Sequence, residues 1–277
     1  MGGESRVPGA WHHPEMATRL PLILLPPSEG KAGGGSGPPW SPGSLSFALD
    51  TQRGDALAAL ATAMRVSEPT RSKLLGVKGT ALAVATAANR AARTAPTMPA
   101  IARYTGVLYD ALDHRSLTSA HHERLNAGVI IFSGLWGAIT PADPIPDYKL
   151  KMGATLPRLG KLSTWWREDL SAAVAARAGG RMVWNLLPNE HSAAWAPPAG
   201  LEQISVRFLE PRPDGSLSAV SHWNKYLKGA LVRYLLANPA AGPADLKIWK
   251  HPSGFRLDPR LTEQHGDLTV LSLVQRR

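Results

Sequence analysis

Short apolar runs alternate along this chain with longer segments of helical periodicity, and this alternation is the strongest limit on its fold. Apolar runs of about four to eight residues bounded by proline or glycine are typical of buried strands, whereas apolar residues three and four positions apart are typical of helices. The order follows no strict strand–helix period and shows no internal repeat. We therefore expect an α/β (α+β) fold, a single domain with a mixed central β-sheet flanked by helices. The predicted strands are 20–25, 128–132, 182–186, 204–209, 217–221 and 268–273, and the predicted helices are 50–66, 80–93, 116–126, 162–178 and 224–238.

Turn-forming residues mark the boundaries between these elements. Pro213-Asp214-Gly215 lies between two predicted strands and is a hairpin signal. The Gly-, Pro- and Ser-rich stretch 31–44 predicts a loop. Residues 1–19 lack the apolar centre of a signal peptide and predict a disordered tail, so that the domain is expected to span 20–277. Whether translation starts at the first or the sixteenth residue, both methionines, stays open.

The chain is basic, with 31 Lys and Arg against 21 Asp and Glu and a formal net charge of +10. Such an excess favours polyanionic partners, because each phosphate that a cation neutralises releases condensed counterions. A basic surface without a polyanionic partner is the alternative. The absence of cysteine excludes disulfides, thiolate metal sites and cysteine nucleophiles. No apolar run approaches the length of a membrane span, and we expect a cytoplasmic protein without a membrane partner.

The positive charge is concentrated in three regions. Residues 65–103 carry seven Lys and Arg against one acid, residues 149–167 carry five against none, and 225 and 228 are lysines at helical spacing. Two segments in these regions, 75–79 and 156–161, resemble helix-hairpin-helix elements, in which a tight turn presents backbone N–H groups to phosphates. In the second segment an arginine stands where the first glycine of the motif would be. An ordinary interhelical turn is the alternative for both.

Motifs for other kinds of chemistry are incomplete. The Gly-rich stretch after Lys31 lacks the Walker spacing and its Ser or Thr, which favours a flexible surface loop over a nucleotide-binding loop. Ser133 follows a predicted strand, but Ile131 stands where a nucleophile elbow needs glycine. No carboxylate or histidine cluster has the spacing of metal ligands. We therefore expect no metal, no cofactor and no lipase-like triad, and an iron-sequestering role is disfavoured.

Several longer motifs occur in an order that resembles one family. They are the central block 130–137 followed by Pro141, Asp143, Tyr148, Lys149, Leu150, Met152 and Gly153, the upstream blocks 26–31 and 104–109, and downstream Trp166, Asn185, Leu186, Glu190 and 225–229. In this order they are similar to the YaaA family of peroxide-stress proteins, over nearly the whole chain. The resemblance implies the family's single-domain α/β fold, a basic cleft, a helix-hairpin-helix element and binding to duplex or distorted DNA. It also implies a link to peroxide tolerance and lower free intracellular iron.

The chain departs from the family pattern at several positions. An arginine, an aspartate, a glutamate and a tyrosine of that pattern are replaced here by Thr140, Thr105, Lys151 and His191, respectively. The lost acids argue against a reaction that depends on them. The lysine at 151 makes the implied cleft more basic.

The leading hypothesis is a DNA-binding protein of the peroxide and oxidative stress response that carries out no chemistry. Backbone N–H groups of the hairpins and the basic side chains of a cleft would contact phosphates, which predicts a preference for DNA shape over sequence. The oligomeric state stays open, with a monomer favoured. The candidate DNA-binding residues are Lys31, Lys73, Lys78, Lys149, Lys151, Arg158, Lys161, Lys225 and Lys228.

The alternative hypothesis is an enzyme that acts on a phosphorylated or nucleotide substrate in the same cleft. Polar residues follow predicted strands and lie in loops, where active sites tend to form. Glu190 is the candidate general base, and Lys31 or Lys225 the candidate phosphate anchor. A network of buried structural hydrogen bonds is a third interpretation. The candidate polar residues of the cleft are Ser28, Tyr104, Tyr109, Asn185 and Glu190.

Overall fold

The computed structural model describes residues 20–220, 223–249, 251 and 253–276, so that the predicted tail 1–19 lies outside the described residues. The strands are β1 (Leu22–Leu25), β2 (Met98–Pro99), β3 (Val129–Ser133), β4 (Gly137–Ile139), β5 (Pro144–Ile145), β6 (Thr155–Leu156), β7 (Gly160–Lys161), β8 (Val183–Asn185), β9 (Gln203–Pro211), β10 (Leu217–Ala219), β11 (Phe255–Leu257), β12 (Glu263–His265) and β13 (Leu268–Gln275). The α-helices are α1 (Asp50–Ala63), α2 (Glu68–Leu75), α3 (Gly79–Ala91), α4 (Ala100–Arg103), α5 (Val107–Leu112), α6 (Ser119–Gly128), α7 (Leu162–Trp165), α8 (Arg167–Ala178), α9 (Asn189–Ser192) and α10 (Asn224–Ala237). Among the described residues, no helix combines the length and the apolar character that a bilayer crossing requires.

The main sheet is mixed, as expected, and is built around β1. This strand lies between β3 and β8 and runs parallel to both. Beyond β8, β9 and β13 continue the parallel arrangement, while β4 and β11 are antiparallel to their neighbours at the two ends. Within the described residues the order is β11-β13-β9-β8-β1-β3-β4, with β10 also paired to β9 and β12 to β13. Every residue of β1 and β3 is buried, which explains why both are continuous apolar runs.

Glycines end two helices and allow one close helix crossing. α2 ends at Gly76 and α8 at Gly179, both with the left-handed backbone that terminates a helix without a steric cost (φ 66° and 53°). Gly229 lies on α10 where this helix meets α5, and a Cβ there would overlap the carbonyl oxygen of Leu108. The approach of α10 to α5 therefore requires glycine at this position.

Most predicted elements are confirmed to within a few residues. The Pro213-Asp214-Gly215 turn joins the antiparallel strands β9 and β10, although the last residue of the predicted strand 217–221 lies outside the described residues. The predicted helix 162–178 is interrupted by a bend at Trp166 and forms α7 and α8. At this bend the buried indole Nε1 donates to the carbonyl oxygen of Gly134 at 3.0 Å.

The two predicted helix-hairpin-helix segments have different structures. Segment 75–79 joins α2 to α3 through a turn at 76–78. Segment 156–161 is instead part of the antiparallel β6–β7 hairpin, so the prediction of a helical element there is wrong. The physical reason is that Pro157 disfavours a helical backbone at the residue before it, and Arg158 adopts a left-handed backbone with φ 66°.

The loop at 31–44 is irregular, as predicted, but its first half is held in place rather than flexible. The Ala32 N–H donates to the Arg103 carbonyl oxygen at 2.8 Å, and the Gly37 N–H donates to the Thr97 carbonyl oxygen at 2.9 Å. The buried Arg103 guanidinium also donates to the carbonyl oxygens of Ala32 and Gly34. The stretch is therefore a surface loop, as predicted, whose first half is anchored by these hydrogen bonds.

Candidate functional site

The centre of the sheet contains a point where two neighbouring strands send the chain in opposite directions. After β1 the chain returns to the sheet as β3 on one side of β1, and after β8 it returns as β9 on the other side. In parallel sheets such a switch in strand order leaves a crevice at the carboxyl ends of the strands, where ligands bind. The segments that leave β1 and β8 here are 26–31 and 186–191.

Two adjoining depressions lie at this place. The first, which we call the narrow pocket, has a volume of about 70 Å³, and the second, the wide pocket, about 460 Å³. They share Lys151 and Glu190, and we call the pair of them the cleft. The narrow pocket is lined by Pro27, Ser28, Glu29, Lys31, Tyr148, Lys149, Leu150, Lys151, Glu190 and His191, and the wide pocket by Thr70, Lys73, Leu74, Gly76, Lys151, Gly153, Ala154, Thr155 and Glu190.

Lys31 is a largely buried cation of the narrow pocket. Its Nζ donates to the carbonyl oxygen of Ser28 at 3.1 Å and lies 4.3 Å from the ring centroid of Tyr148 and 5.6 Å from that of Tyr104. Burial lowers the pKa of Lys31 to about 8, although the charge of Asp147 acts in the opposite direction. The ammonium form therefore still predominates at neutral pH, but the neutral amine is more abundant than in a lysine exposed to water.

A chain of buried hydroxyl groups lies beneath Lys31. The Ser133 hydroxyl and the Tyr148 hydroxyl are 2.7 Å apart, and the Tyr148 and Tyr104 hydroxyls are also 2.7 Å apart. Burial raises the pKa of Tyr148 to about 12 and raises the pKa of Tyr104 well above its ordinary value, so both phenols are protonated at neutral pH. The Tyr109 hydroxyl donates to the Pro26 carbonyl oxygen at 2.8 Å, which fixes the start of the segment that carries Lys31.

Two lysines of the cleft share one carboxylate. Glu29 lies 3.3 Å from the Nζ of Lys149 and 3.3 Å from that of Lys151. Burial raises the pKa of Glu29, but the two lysine charges and their hydrogen bonds outweigh that effect and lower it overall. Because Glu29 is 66% exposed, these pairs are screened and leave the lysines available to other anions.

Glu190 and His191 enter the cleft from α9, on the segment that follows β8. The Gly153 N–H donates to Glu190 Oε1 at 2.7 Å, which joins this helix to the segment after the lysine pair. Burial lowers the pKa of His191 to about 4, so the imidazole is neutral at pH 7. Its Nδ1 is buried and has no hydrogen-bond partner among the described residues.

The α2–α3 turn forms one wall of the wide pocket. A Cβ added to Gly76 would stand 3.7 Å from Lys151 Nζ, so this ammonium group lies against the turn. Lys73 of α2 is exposed and lines the same pocket. At the start of α3, Lys78 and the next three residues are exposed, and the Lys78 side chain makes no capping hydrogen bond. The first N–H groups of α3 have no partner within the helix, and the residues that carry them are exposed.

The cleft thus gathers part of the predicted site and leaves the rest outside. Ser28, Lys31, Lys149, Lys151 and Glu190 line the narrow pocket, Lys73 lines the wide one, and Tyr104 and Tyr109 pack behind them. The predicted residues that neither line a pocket nor pack behind one are Asn185, whose side chain bonds Gln203 and Leu187, and Lys78, Arg158, Lys161, Lys225 and Lys228.

Lys228 has a partner inside the protein. Its Nζ donates to the carbonyl oxygen of Leu186 at 2.9 Å, and burial lowers its pKa to about 8. Lys225, on the same helix, is exposed. The spacing of the two lysines predicts that they share one face of the helix. In the structure only Lys225 is exposed, because Lys228 points toward the end of β8.

Three residues of the narrow pocket were missed as site candidates in the sequence. Glu29 and Tyr148 lie within the motifs that carry the family resemblance and close in sequence to the candidates Lys31 and Lys149, and this was the available signal. His191 was noted only as a departure from the family pattern. Within the described part of the chain, no group of three or more His, Asp or Glu side chains could hold a metal ion.

Comparisons with known proteins agree on one family. The family model described as peroxide stress protein YaaA matches residues 22–261. A UPF0246 protein of Streptomyces coelicolor is 40% identical over 250 residues, which cover 88% of this chain and 95% of that protein. A UPF0246 protein of Corynebacterium glutamicum is 40% identical over 219 residues, covering 77% and 84%.

Proposed function

This chain belongs to the family of peroxide stress protein YaaA, and from that premise we propose that it binds DNA through the lysines of the cleft and the α2–α3 turn. The observation that carries the proposal is the position of Lys151 Nζ against Gly76, which joins the turn to the cleft. Four lysines and two glutamates line the cleft, so positive charge exceeds negative charge along it. The absence of cysteine means that a role in peroxide stress would not use thiol chemistry.

The α2–α3 turn supplies a second kind of contact. The exposed N-terminus of α3 has N–H groups without intrahelical partners, and these groups together with the helix dipole favour a phosphate. Lys73 and Lys78 flank this position and are exposed. The turn and the two lysines would therefore hold the DNA backbone, which is the role implied for a helix-hairpin-helix element.

The basic residues outside the cleft are expected to contribute to DNA binding to different extents. Arg158 and Lys161 are exposed on the β6–β7 hairpin, whose start at Thr155 lines the wide pocket, so they would extend the contact surface. Lys225 is exposed and would add only long-range attraction. Lys228 would contribute least, because its ammonium group is held by a backbone carbonyl.

A binding titration at several salt concentrations tests the proposal. Each neutralised phosphate contributes a slope of roughly −0.9 to a plot of log affinity against log salt. The double variant Lys73→Gln/Lys151→Gln is therefore expected to flatten the slope by roughly 2, while the control Lys247→Gln leaves it unchanged. Lys247 is exposed and lines neither pocket. Two duplexes of unrelated sequence should bind equally, and a salt-independent affinity would contradict the proposal.

A second candidate function is an enzyme that acts on a phosphorylated or nucleotide substrate. The observation that favours it is the convergence of Ser28, Lys31 and Glu190 in the narrow pocket at the switch in strand order. Glu190 would serve as general base and Lys31 as the group nearest the reacting end, whereas Lys225 lines neither pocket. Thermal unfolding with inorganic phosphate or a nucleoside monophosphate tests this function. A rise in midpoint that Glu190→Gln or Lys31→Gln weakens is expected, and an unchanged midpoint would count against it.

A further inference from the structure

We propose that Lys31 is a nucleophilic amine that forms an imine with a phosphorylated aldehyde or ketone bound in the cleft. This inference rests on the second candidate function and adds to it a substrate class and a reactive atom. It concerns an atom inside the narrow pocket, whose volume of about 70 Å³ is too small for a DNA duplex, although Lys73 and Lys151 would take part in both kinds of binding.

Lys31 lacks the partner that a buried structural lysine ordinarily has. Among the described residues, no carboxylate lies within ion-pair distance of its Nζ, whereas Lys149 and Lys151 both pair with Glu29. Its contacts are one carbonyl oxygen, that of Ser28, and two aromatic rings. A buried cation held by one carbonyl and ring faces is a poor structural element, because such a charge is costly without a counter-ion.

The hydroxyl groups below Lys31 supply no counter-ion to it either. The Ser133 oxygen accepts N–H groups from Leu135 and Trp136, so its own hydrogen is directed to the Tyr148 oxygen. Both phenols of the chain stay protonated at neutral pH, so no phenolate is present to hold Lys31 as an ammonium ion. Four charged groups act on the pKa of Lys31. The carboxylates of Asp147 and Glu29 raise it, and the positive charges of Lys149 and Arg103 lower it.

The protonation state of Lys31 agrees with this geometry. Its pKa of about 8 makes the neutral amine more abundant at pH 7 than in a lysine in water by roughly two orders of magnitude. The Tyr148 ring face favours the ammonium form, whereas burial disfavours it and exceeds the effect of each neighbouring charge on this pKa. A desolvated amine of lowered pKa is the usual form of an imine-forming lysine.

The shape of the cleft indicates where each part of the substrate would lie. The narrow pocket admits a small carbonyl-bearing end beside Lys31. The phosphate-bearing part would occupy the wide pocket, where Lys73 and Lys151 provide positive charge. Lys151 borders both pockets, so one ligand can reach Lys31 and the outer lysines together.

The chemical step balances without an oxidant or reductant. The ammonium group of Lys31 loses one proton to solvent, and the nitrogen lone pair attacks the carbonyl carbon to give a carbinolamine. The carbinolamine hydroxyl leaves as water after taking up a proton, while the nitrogen loses its remaining transferable hydrogen, and a C=N bond replaces the C=O bond. Glu190 lines the same pocket and would transfer these protons as the acid–base group.

The experiment uses pyridoxal 5′-phosphate as the probe, because it combines an aldehyde with one phosphate. The folded protein is incubated with the probe and cyanoborohydride, and the rate of modification of each lysine is measured by peptide mass spectrometry. Lys31 is expected to react at least tenfold faster than Lys247, an exposed lysine outside the cleft. Equal or slower modification of Lys31 would overturn the inference.

Two further comparisons separate this inference from the function on which it rests. Pyridoxal, which has no phosphate, should modify Lys31 at least several-fold more slowly, and Lys73→Gln/Lys151→Gln should remove this difference. Fast reaction of Lys31 with both probes alike would overturn the phosphorylated substrate class. Phosphate-dependent stabilisation of the protein without reaction of Lys31 would leave the second candidate function standing and overturn the imine. Lys31→Arg, with its thermal midpoint measured alongside, confirms that the trapped residue is the one assigned.

Discussion

Replacing Arg103 with methionine is expected to be among the most destabilising single changes in the chain. This arginine is fully buried, and its guanidinium donates to backbone carbonyls from separate segments of the chain. The acceptors include Ile145 at 3.3 Å, Gly34 at 2.9 Å and Ala32. Methionine has a similar length but no donor, so Arg103→Met leaves these carbonyl oxygens without their partner.

The size of the loss follows from the hydrogen bonds. A hydrogen bond from a charged donor contributes roughly 1.5–3 kcal/mol, and a buried acceptor left without a partner costs roughly 1–3 kcal/mol. The buried guanidinium carries its own desolvation penalty, which Arg103→Met relieves and which offsets part of the loss. We therefore expect the free energy of unfolding to fall by roughly 3–5 kcal/mol, a large fraction of the stability of an ordinary domain.

Urea unfolding followed by circular dichroism measures this change. The matched control is Arg65→Met, because Arg65 is exposed, and its effect should stay within roughly 0.5 kcal/mol. Arg103→Lys should recover only part of the loss, since one ammonium group cannot reach carbonyls that lie on different segments. A loss below roughly 1 kcal/mol for Arg103→Met would refute the conclusion that this residue anchors the loop after Lys31.

Three further changes probe packing, protonation and charge. Gly229→Ala should lower the free energy of unfolding in urea by roughly 2–4 kcal/mol, because its Cβ overlaps the Leu108 carbonyl oxygen. The control Gly54→Ala, whose Cβ meets open space, should instead raise it by up to roughly 1 kcal/mol. Between pH 6.5 and about 4 the unfolded chain binds a proton at His191 that the folded protein does not, so the free energy of unfolding falls as the pH falls. His191→Gln should reduce that fall by roughly 1–2 kcal/mol. If the variant leaves the dependence of stability on pH unchanged, the burial of His191 is contradicted. Glu29→Gln removes the carboxylate that pairs with Lys149 and Lys151, and it should tighten DNA binding roughly two- to fivefold at low salt. Weaker DNA binding by this variant would contradict the expectation.

The elements that the sequence predicts best are those with a local cause. The strands around β1 were recognisable because both faces of each strand are buried and the apolar run is continuous. The β9–β10 hairpin was recognisable because its turn contains Pro213-Asp214-Gly215. Gly179 ends α8 in the predicted position because glycine adopts the left-handed backbone freely.

What the sequence could not predict depends on contacts distant in the chain. The β6–β7 hairpin could not be predicted because Arg158 adopts a left-handed backbone. This conformation is uncommon in residues other than glycine, and here it is selected by tertiary contacts. The inward direction of Lys228 depends on the end of β8, about forty residues earlier. The loop after Lys31 is held by Arg103, whose burial has no sequence signature, since arginine is ordinarily exposed.

In the candidate site, too, some features have a local signal in the sequence and others depend on the whole fold. Strand-end positions indicated that Ser28, Lys31 and Glu190 could be functional, and the strand order places them in one pocket. That strand order is a property of the whole sheet and has no local signal. Asn185 has an equally suitable sequence position, but its side chain bonds within the sheet instead.

In the function proposed for this protein, lysines distant in sequence form one phosphate-binding surface around Lys151. Lysine acetylation of the protein, with and without a DNA duplex, followed by mass spectrometry, measures it most directly. The prediction is that DNA protects Lys73, Lys78 and Lys151 at least several-fold and leaves Lys247 unchanged. Protection spread evenly over the exposed lysines, or confined to Lys225 and Lys247, would contradict the claim.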